Sequence, residues 1–389
     1  MIICPDCKET IVRKNGIIER EIMKKSGKYL QKVQAYRCEN GHRFTQSKRE
    51  MWDDSFIETV VFVYLRCLSL NTTIDIVRMF YEIDVLTKGL ILSFIKSVAD
   101  ALPTLDDIDR LFHPIRSGYL AFDGVWFSYG REEIVLLVAF DPESFDIVSA
   151  RWEKEETEEG YERLLTDIID KMKATNIKGV YADGDKGFLK ALKRLLPFVP
   201  FQLCVFHKEL RMGQIVPVKS VKTSKRMSSP QKHNIKVFQL LFHEVIYATT
   251  KDKSIEALSR LKRYVGSGTH SYEERFLKAY RSLIHNFKYT LTHFDYPHMR
   301  RDNNLLECFN GILKPMLDLM RGFKKEENLD RYLKLFLLEY RFHSLKESRF
   351  VQRRGNSPLQ VAGVVLSPYY NFMTYLRSHL TLSYKLNSV

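Results

Sequence analysis

In Tyr119-Leu-Ala-Phe-Asp-Gly-Val-Trp-Phe127 a single acid interrupts an apolar strand, a costly placement for a charge without a partner. Strand-like character extends the run to about 118–128, and two further strand-like runs follow at 132–141 and 146–153. An acidic and apolar helix pattern then covers 157–174, with Tyr161, Leu164, Leu165, Ile168 and Ile169 along its apolar side. Beyond it lie a strand at 178–183, a helix at 186–196 and a strand at 200–206. The fourth strand closes in Gly179-Val-Tyr-Ala-Asp-Gly184, so Asp183 falls where that strand stops.

The order βββαβαβ is an antiparallel meander feeding a crossover pair. It is the order of a ribonuclease-H-like fold, which carries one acid midway along its first strand and another just after its fourth. Asp123 and Asp183 stand at those two places. Taken singly, Asp123 could be a buried strand residue satisfied by backbone donors. Asp183 could be a turn or helix N-cap residue, with Asp185 competing for both roles.

A third acid, Glu307, lies on a predicted helix in Arg301-Asp-Asn-Asn-Leu-Leu-Glu-Cys-Phe-Asn310. Leu305, Phe309, Ile312, Leu313 and Met316 form its expected inward face. Glu307, Asn310, Gly311 and Lys314 share a polar stripe, with Asn304 near the start as a cap. A solvent-facing glutamate is the bland alternative. Three converging carboxylates would hold two Mg²⁺ (or Mn²⁺) ions through hard oxygen ligands. Such a pair activates a water or 3′-hydroxyl and steadies the leaving oxygen of a phosphodiester.

The acids are 60 residues (183 − 123) and 124 residues (307 − 183) apart. The second gap is too long for a loop and must hold folded structure. Residues 209–300 are helix-like and basic, with apolar periodicity at Phe238, Leu241, Val245 and Ile246, and again at Leu258, Leu261 and Val265. Within them, the basic, turn-rich Lys219–Pro230 reads as a loop able to order on a phosphate backbone, or as a solvated charge run.

Upstream, Cys4 and Cys7 form a Cys-Pro-Asp-Cys knuckle, and Cys38 and His42 fall in Tyr36-Arg-Cys-Glu-Asn-Gly-His-Arg-Phe44. Three thiolates and an imidazole are a closed ligand set for structural Zn²⁺. Free cysteines with a surface histidine are the alternative. Short strands are expected between the pairs, at Thr10–Arg13 and Lys32–Arg37. From Ser55 the pattern turns helical through Phe56, Val60, Val63, Tyr64 and Leu68, then gives helix, turn, helix over 72–81 and 86–96. The second of these would expose Thr87, Lys88, Ser93 and Lys96 to a DNA groove. An ordinary helical hairpin fits equally well.

Length and composition agree with a multi-domain globular chain: 389 residues, 45% hydrophobic and 12% aromatic, enough to bury a large core. The formal net charge of +14 favours a polyanionic partner, nucleic acid before membrane. No apolar stretch has the length of a membrane span, and the N-terminus lacks the pattern of a signal peptide. Six cysteines with one Cys-x-x-Cys pair favour an intracellular metal site over a disulfide framework.

Three motifs carry a family resemblance. Ala182-Asp-Gly-Asp-Lys-Gly-Phe188 resembles an Asp-Gly-x-Lys-Gly turn, which favours Asp183 over Asp185. Pro197 and Gln202-Leu-Cys-Val-Phe-His207 resemble a Pro…Gln-x-Cys-x-x-His signature. Asn304-Leu-Leu-Glu-Cys-Phe-Asn-Gly-Ile-Leu-Lys314, then Arg321-Gly-Phe323, resembles an Asn-x-x-Glu-x-x-Asn-x-x-Lys…Arg-Gly-Phe block. Over about 118–365 the chain thereby resembles the DDE transposases of prokaryotic insertion sequences in the Mutator-like group.

The resemblance implies Asp123, Asp183 and Glu307 as metal-holding catalytic acids. It puts Cys204 and His207 near the active centre, where His207 would contact the scissile phosphate or a flipped base. Asn304 and Asn310 would support the acids. Lys186, Arg300, Arg301, Lys314 and Arg321 would meet phosphates. The implied partner is double-stranded DNA, both terminal inverted repeats and target, acted on by at least a homodimer in the cytoplasm. The expected organisation is a zinc ribbon (1–50), a helix-turn-helix-like helical domain (51–112) and a ribonuclease-H-like core (113–208). A helical insertion (209–300), the Glu307 helix region (301–350) and a tail (351–389) would follow. Two other readings compete: a DNA-binding regulator without chemistry, and a structure-specific nuclease of the ribonuclease H superfamily.

Overall fold

The computed structural model describes residues 2–45, 51–67, 69–83, 85–267, 273–319, 326–367, 371–382 and Tyr384. The chain forms two compact units. One comprises Met1–His113, Phe323–His343 and Val365–Val389; the other comprises Pro114–Gly322 and Ser344–Val364. The stretch 301–350 is thus shared between the units, and the last residues join the first.

The first unit begins with three antiparallel strands, β1 (Val12–Lys24), β2 (Gly27–Cys38) and β3 (Arg43–Thr45). Where short strands were expected there is one long hairpin. Residues 15 and 16 are absorbed as a register shift between Lys14 and Ile17, and Lys25-Ser26 makes the tight turn. Helices Asp54–Cys67, Leu70–Tyr81, Lys88–Ala101 and Leu105–Phe112 follow. Phe56 and Val60 are fully buried and Tyr64 nearly so, whereas Val63 is only partly covered. Leu68 lies outside the described residues.

The helix-turn-helix-like pair is present, but its second helix starts at Lys88. Thr87 caps that helix by accepting from the Leu90 N–H, at 3.2 Å. Leu105–Phe112 was not foreseen, although its Thr104/Asp107 capping box is a local signal. Helix Glu326–Phe342 joins this unit through Lys334 Nζ, which donates to the Leu102 carbonyl at 2.8 Å. The fully buried Arg341 pairs with Asp109 at 2.5 Å.

The second unit is built on a five-stranded sheet of β4 (Tyr119–Tyr129), β5 (Glu132–Asp141), β6 (Asp146–Glu153), β7 (Gly179–Ala182) and β8 (Phe201–Leu203), ordered β6-β5-β4-β7-β8. β4 to β6 are an antiparallel meander; β7 and β8 add in parallel on the other side of β4. This is the ribonuclease-H-like arrangement. Helices Glu158–Met172 and Lys186–Leu195 cover one face, closing a core of Leu120, Phe122, Leu137, Leu164, Val180 and Phe188 among others. β8 is shorter than the expected 200–206, since Cys204 already sits at the cap of helix Val205–Ile215.

An all-helical insertion follows: Ser220–Thr223, Ser229–Ile246, Lys251–Val265, Glu273–Ile284 and Thr292–Asp295. Phe238, Val245, Ile246, Leu261 and Val265 sit in its core, with Leu241 and Leu258 packed against it. The expected loop at 219–230 contains a one-turn helix with buried Val221, then the Ser228/Gln231 capping box of the next helix. The chain returns to the sheet with helix Asn304–Leu319, which packs on β4. Among the described residues, no helix is long and apolar enough to cross a membrane.

Candidate functional site

The parallel pairing of β4 with β7 sets Ala121 beside Tyr181. Two residues further along each strand come Asp123, part-buried, and Asp183, exposed, so the register brings both acids to the same end of the same face. Gly184 turns the chain there with φ +90°, a conformation open to glycine, and a Cβ on it would come within 2.5 Å of Leu203. The rivalry between Asp183 and Asp185 resolves by role. Asp185 Oδ1 caps helix Lys186–Leu195, accepting from the N–H groups of Gly187 at 2.7 Å and Phe188 at 3.1 Å. Among the described residues, Asp183 accepts from the Asp185 N–H alone, at 3.0 Å. Gly187 is required for packing, since a Cβ there would lie 2.8 Å from the Glu158 nitrogen.

Glu307 arrives from helix Asn304–Leu319. Its Oε1 lies 3.1 Å from His207 Nε2. Asp123, His207 and Glu307 form a cluster whose potential ligand atoms all lie within 4.8 Å of one another, and Asp183 stands outside that set. Burial, and then the charges of Glu307 and Asp183, push the Asp123 carboxyl well above the usual carboxylate range, against the pull of His207 and the Gly124 N–H. Burial alone would lower the His207 imidazole. The Cys204 sulfur, the Glu307 carboxylate and Asp123 together override it and raise the imidazole to about 11.

The Gln-x-Cys-x-x-His signature acts as a grip on the chain where it leaves the insertion. Gln202, fully buried, donates to the carbonyls of Leu203 at 2.8 Å, Thr290 at 3.1 Å and Arg301 at 3.3 Å, and accepts from the His293 N–H at 2.8 Å. The Cys204 sulfur accepts from the Asn303 N–H at 3.3 Å. His207 then meets Glu307, so all three motif residues hold the segment that delivers the third acid. Cys204 has no place in the metal-ligand clusters among the described residues.

The asparagines divide differently from expectation. Asn304 is exposed and opens its helix as the first helical residue, with its own N–H bonded to Asp302 at 3.2 Å; it is not the cap. The buried neighbour, Asn303, donates to the Phe122 carbonyl of β4 at 3.1 Å. Asn310 donates to Asp123 Oδ2 at 2.7 Å. The Oδ1 atoms of both Asn303 and Asn310, and His207 Nδ1, are buried without a hydrogen-bond partner among the described residues. On the same helix Leu305, Phe309 and Leu313 are buried and Met316 partly so, but Ile312 is 49% exposed; Leu306 and Leu317 complete the inward face instead.

Of the cations expected to meet phosphates, Lys88, Lys96 and Lys186 are exposed. Arg300 pairs with Glu143 at 3.0 Å, and Arg301 stacks 4.8 Å over the Tyr247 ring. Lys314 Nζ donates to the Trp126 carbonyl of β4 at 2.6 Å. Arg321 lies outside the described residues. One neighbour was not anticipated. Glu156, hidden in the acidic run Glu153–Glu158, accepts from Trp126 Nε1 at 2.6 Å and the Tyr161 hydroxyl at 2.7 Å. Burial raises its carboxyl, with Asp183 and Asp185 adding to the effect. The sequence signal was faint: a carboxylate three residues past the end of an expected strand.

In the N-terminal sheet, Cys4, Cys7, Cys38 and His42 bring their ligand atoms within 4.8 Å of one another. Cys7 Sγ to Cys38 Sγ is 3.7 Å, and His42 Nδ1 lies 3.5 Å from Cys38 Sγ and 3.8 Å from Cys4 Sγ. A tetrahedral Zn²⁺ with bonds of about 2.3 Å to sulfur and about 2.05 Å to nitrogen requires edges of roughly 3.8 Å and 3.6 Å. The donor set and its spacing fit. The Asn40 side chain and the Glu9 backbone pull the Cys7 thiol down to about 6, toward the thiolate a metal needs.

A mixed sheet in this order, with one acid midway along its central strand, a second at the end of the adjoining strand and a third delivered by a later helix, defines a ribonuclease-H-like protein. The family description "Transposase, Mutator family" matches residues 7–344, and the chain belongs to that family. No curated protein matches the chain. Among solved structures it is similar to the catalytic domain of Mos1 mariner transposase at 12% identity and TM-score 0.19, over 49% of this chain and 92% of that one. It is similar to the HTLV-2 integrase catalytic core domain in complex with magnesium at 10% identity and TM-score 0.20, over 36% and 93%. A simian T-cell lymphotropic virus intasome with a PP2A regulatory subunit matches at 13% identity and TM-score 0.20, over 35% of this chain and 50% of that one. At these scores the likenesses add nothing to the topology described above.

Proposed function

We propose that the chain is a DNA transposase that binds the ends of its own element and carries out metal-dependent phosphodiester hydrolysis and strand transfer. The observation that carries this reading is the meeting of Asp123 and Glu307 in one ligand cluster, with Asp183 at the adjoining strand end. Carboxylate oxygens are the ligands Mg²⁺ takes, and the mutual repulsion that raises the Asp123 carboxyl is what a cation relieves. The Asn310 Oδ1, buried without a partner among the described residues, adds acceptor capacity on the side chain that already holds Asp123. Asp123, Asp183 and Glu307 would hold two Mg²⁺ (or Mn²⁺) ions, which when bound activate the attacking oxygen and stabilise the leaving one.

The protein's own part is positioning. Asn310 fixes one oxygen of Asp123, and Lys314 holds the strand at Trp126. His207 holds the Glu307 carboxylate; imidazole suits Mg²⁺ poorly, so we assign it to orientation rather than ligation. Lys186, exposed at the helix start beside Asp183, takes a DNA phosphate. The four-residue Cys₃His cluster holds structural Zn²⁺. Joining two ends requires at least two copies, acting in the cytoplasm where the element's DNA lies.

The test is cleavage and joining of a duplex carrying the element's terminal repeat. Wild type should do both in Mg²⁺ or Mn²⁺, and Asp183→Asn and Glu307→Gln should do neither while still binding. Wild-type protein that binds the ends yet neither cuts nor joins in either ion would sink the catalytic reading.

A further inference from the structure

Three arginines stand side by side across the N-terminal sheet. Arg13 on β1 pairs directly with Arg37 on β2, and Arg37 pairs directly with Arg43 on β3. Directly opposed residues of antiparallel strands share a face, with Cβ atoms about 4.5–5.5 Å apart. All three side chains are exposed. Among the described residues, no acidic side chain forms an ion pair with any of them. Like charges set directly opposite one another destabilise a sheet, so the row is a standing cost to the fold.

The rest of the hairpin sorts its charge in the same sense. Beyond the register shift, Arg20 is opposite Gln31 and Lys24 opposite Gly27. Gln31 and Gly27 alternate with Arg37 along β2, so both cations lie on the arginine face. Side-chain partners agree with this parity. Arg20 bonds Thr45, which pairs with Ala35 on that face, and Lys24 Nζ lies 4.4 Å from the Tyr29 ring centre. On the other face, Lys32 meets Glu19 at 3.7 Å. The arginine face therefore carries five cations and no acid from the three strands. Both strand glutamates, Glu19 and Glu21, lie opposite, among Lys14, Lys28 and Lys32.

We propose that this arginine face is a docking surface for the phosphate backbone of duplex DNA, centred on Arg13, Arg37 and Arg43. Charge complementarity selects the occupant: a strand face whose charged residues are all cations calls for a repeating anion. The guanidinium fork matches phosphate oxygens in pairs. Size agrees as well. From Arg13 to Lys24 the strand runs about 36 Å at about 3.3 Å per residue, close to one duplex turn of about 34 Å. A β-ribbon also fits the width of the major groove. Arg37 and Arg43 adjoin Cys38 and His42, so the same clamp that gathers the Cys₃His cluster holds the row in place. The inference rests on the reading of the chain as DNA-acting, and adds a surface which that reading does not contain.

The test compares two charge-matched variants of the full zinc-loaded chain on a 30-base-pair duplex over a range of salt. Arg13→Gln/Arg37→Gln/Arg43→Gln should weaken binding at least roughly tenfold, and the slope of log K against log[salt] should fall by about 3, near one for each phosphate no longer neutralised. Lys14→Gln/Lys28→Gln/Lys32→Gln, on the other face, should leave both nearly unchanged. Without DNA, the arginine variant should bind one zinc and melt no lower than wild type, because mutual repulsion is removed. If it fails to take up zinc, Arg13→Gln alone, farthest in sequence from Cys38 and His42, carries the comparison with a slope change near 1. Equal losses on both faces, or none on the arginine face, would overturn the docking surface while leaving the catalytic reading intact. Wild-type protein that binds no duplex would overturn both.

Discussion

Asp123 and Asn310 lie 187 residues apart in sequence and share a 2.7 Å hydrogen bond. The amide fixes one carboxylate oxygen of a strand acid from a helix that is made only after the whole insertion. A hydrogen bond to a charged acceptor contributes about 1.5–3 kcal/mol, which corresponds to roughly 10–100-fold if it is used in the reaction. Asn310→Ala should therefore slow Mg²⁺-dependent end cleavage by about that factor. Cleavage at the wild-type rate would show that the amide does not position Asp123.

Asp183 and Asp185 should separate cleanly under substitution. Asp185→Ala removes the N-cap of helix Lys186–Leu195 and should cost about 1 kcal/mol of stability, seen as a drop of a few degrees in melting temperature. Asp183→Asn caps nothing. It should leave the melting temperature within about a degree and abolish cleavage. The reverse pattern, an unstable Asp183→Asn with full activity, would exchange the two assignments.

The Asp123 carboxyl titrates above its unfolded range, which sets the sign of two pH effects. In metal-free protein its contribution to stability is fully present below the ordinary carboxylate range and is lost as pH rises through the raised value. Asp123→Asn should flatten that fall. Mg²⁺ requires the ionised form, so uptake should release protons and tighten as pH rises. Calorimetric titration of Mg²⁺ in two buffers of different ionisation heat measures that release, and identical heats in both would refute it.

Removal of zinc should be a local event. Structural zinc sites contribute on the order of 10 kcal/mol, far more than a three-stranded sheet with so few buried apolar residues supplies alone. Cys38→Ser or a strong chelator should take the zinc content from one per chain to zero. Limited proteolysis should then cut within residues 2–45 while the sheet of β4 to β8 stays protected. Retention of an intact N-terminal sheet without zinc would count against the metal.

The sheet of the second unit was legible because each strand is an apolar run with its own turn signals; β5 and β6 begin and end where the pattern puts them. What the pattern could not rank were neighbours of one type. Asn303 and Asn304 are identical in chemistry, and only the return of the chain to Phe122 picks the buried one. Ile312 keeps a helical period with Phe309 and Met316 but falls on the solvent side. Lys314 has the sequence setting of a free cation and is bound to a strand carbonyl; Arg300 likewise has Glu143. Glu156 is hidden among five acids in the seven residues 153–159, since its distinction lies in Trp126 and Tyr161, both non-adjacent. Except for the five-residue Glu156–Tyr161 contact, these pairings join distant parts of the chain and are invisible to any local period.

The grip that Gln202, Cys204 and His207 place on the segment after the insertion also fixes an order in time. All five strands of the second unit have been synthesised by Leu203, whereas Asn303, which closes on the Phe122 carbonyl, comes 100 residues later (303 − 203). At about 5–20 residues per second roughly 5–20 s pass before the Phe122 carbonyl on the central strand can receive Asn303. Gln202 meets its Thr290 and His293 partners only once the end of the insertion has been made, so the grip closes late in synthesis.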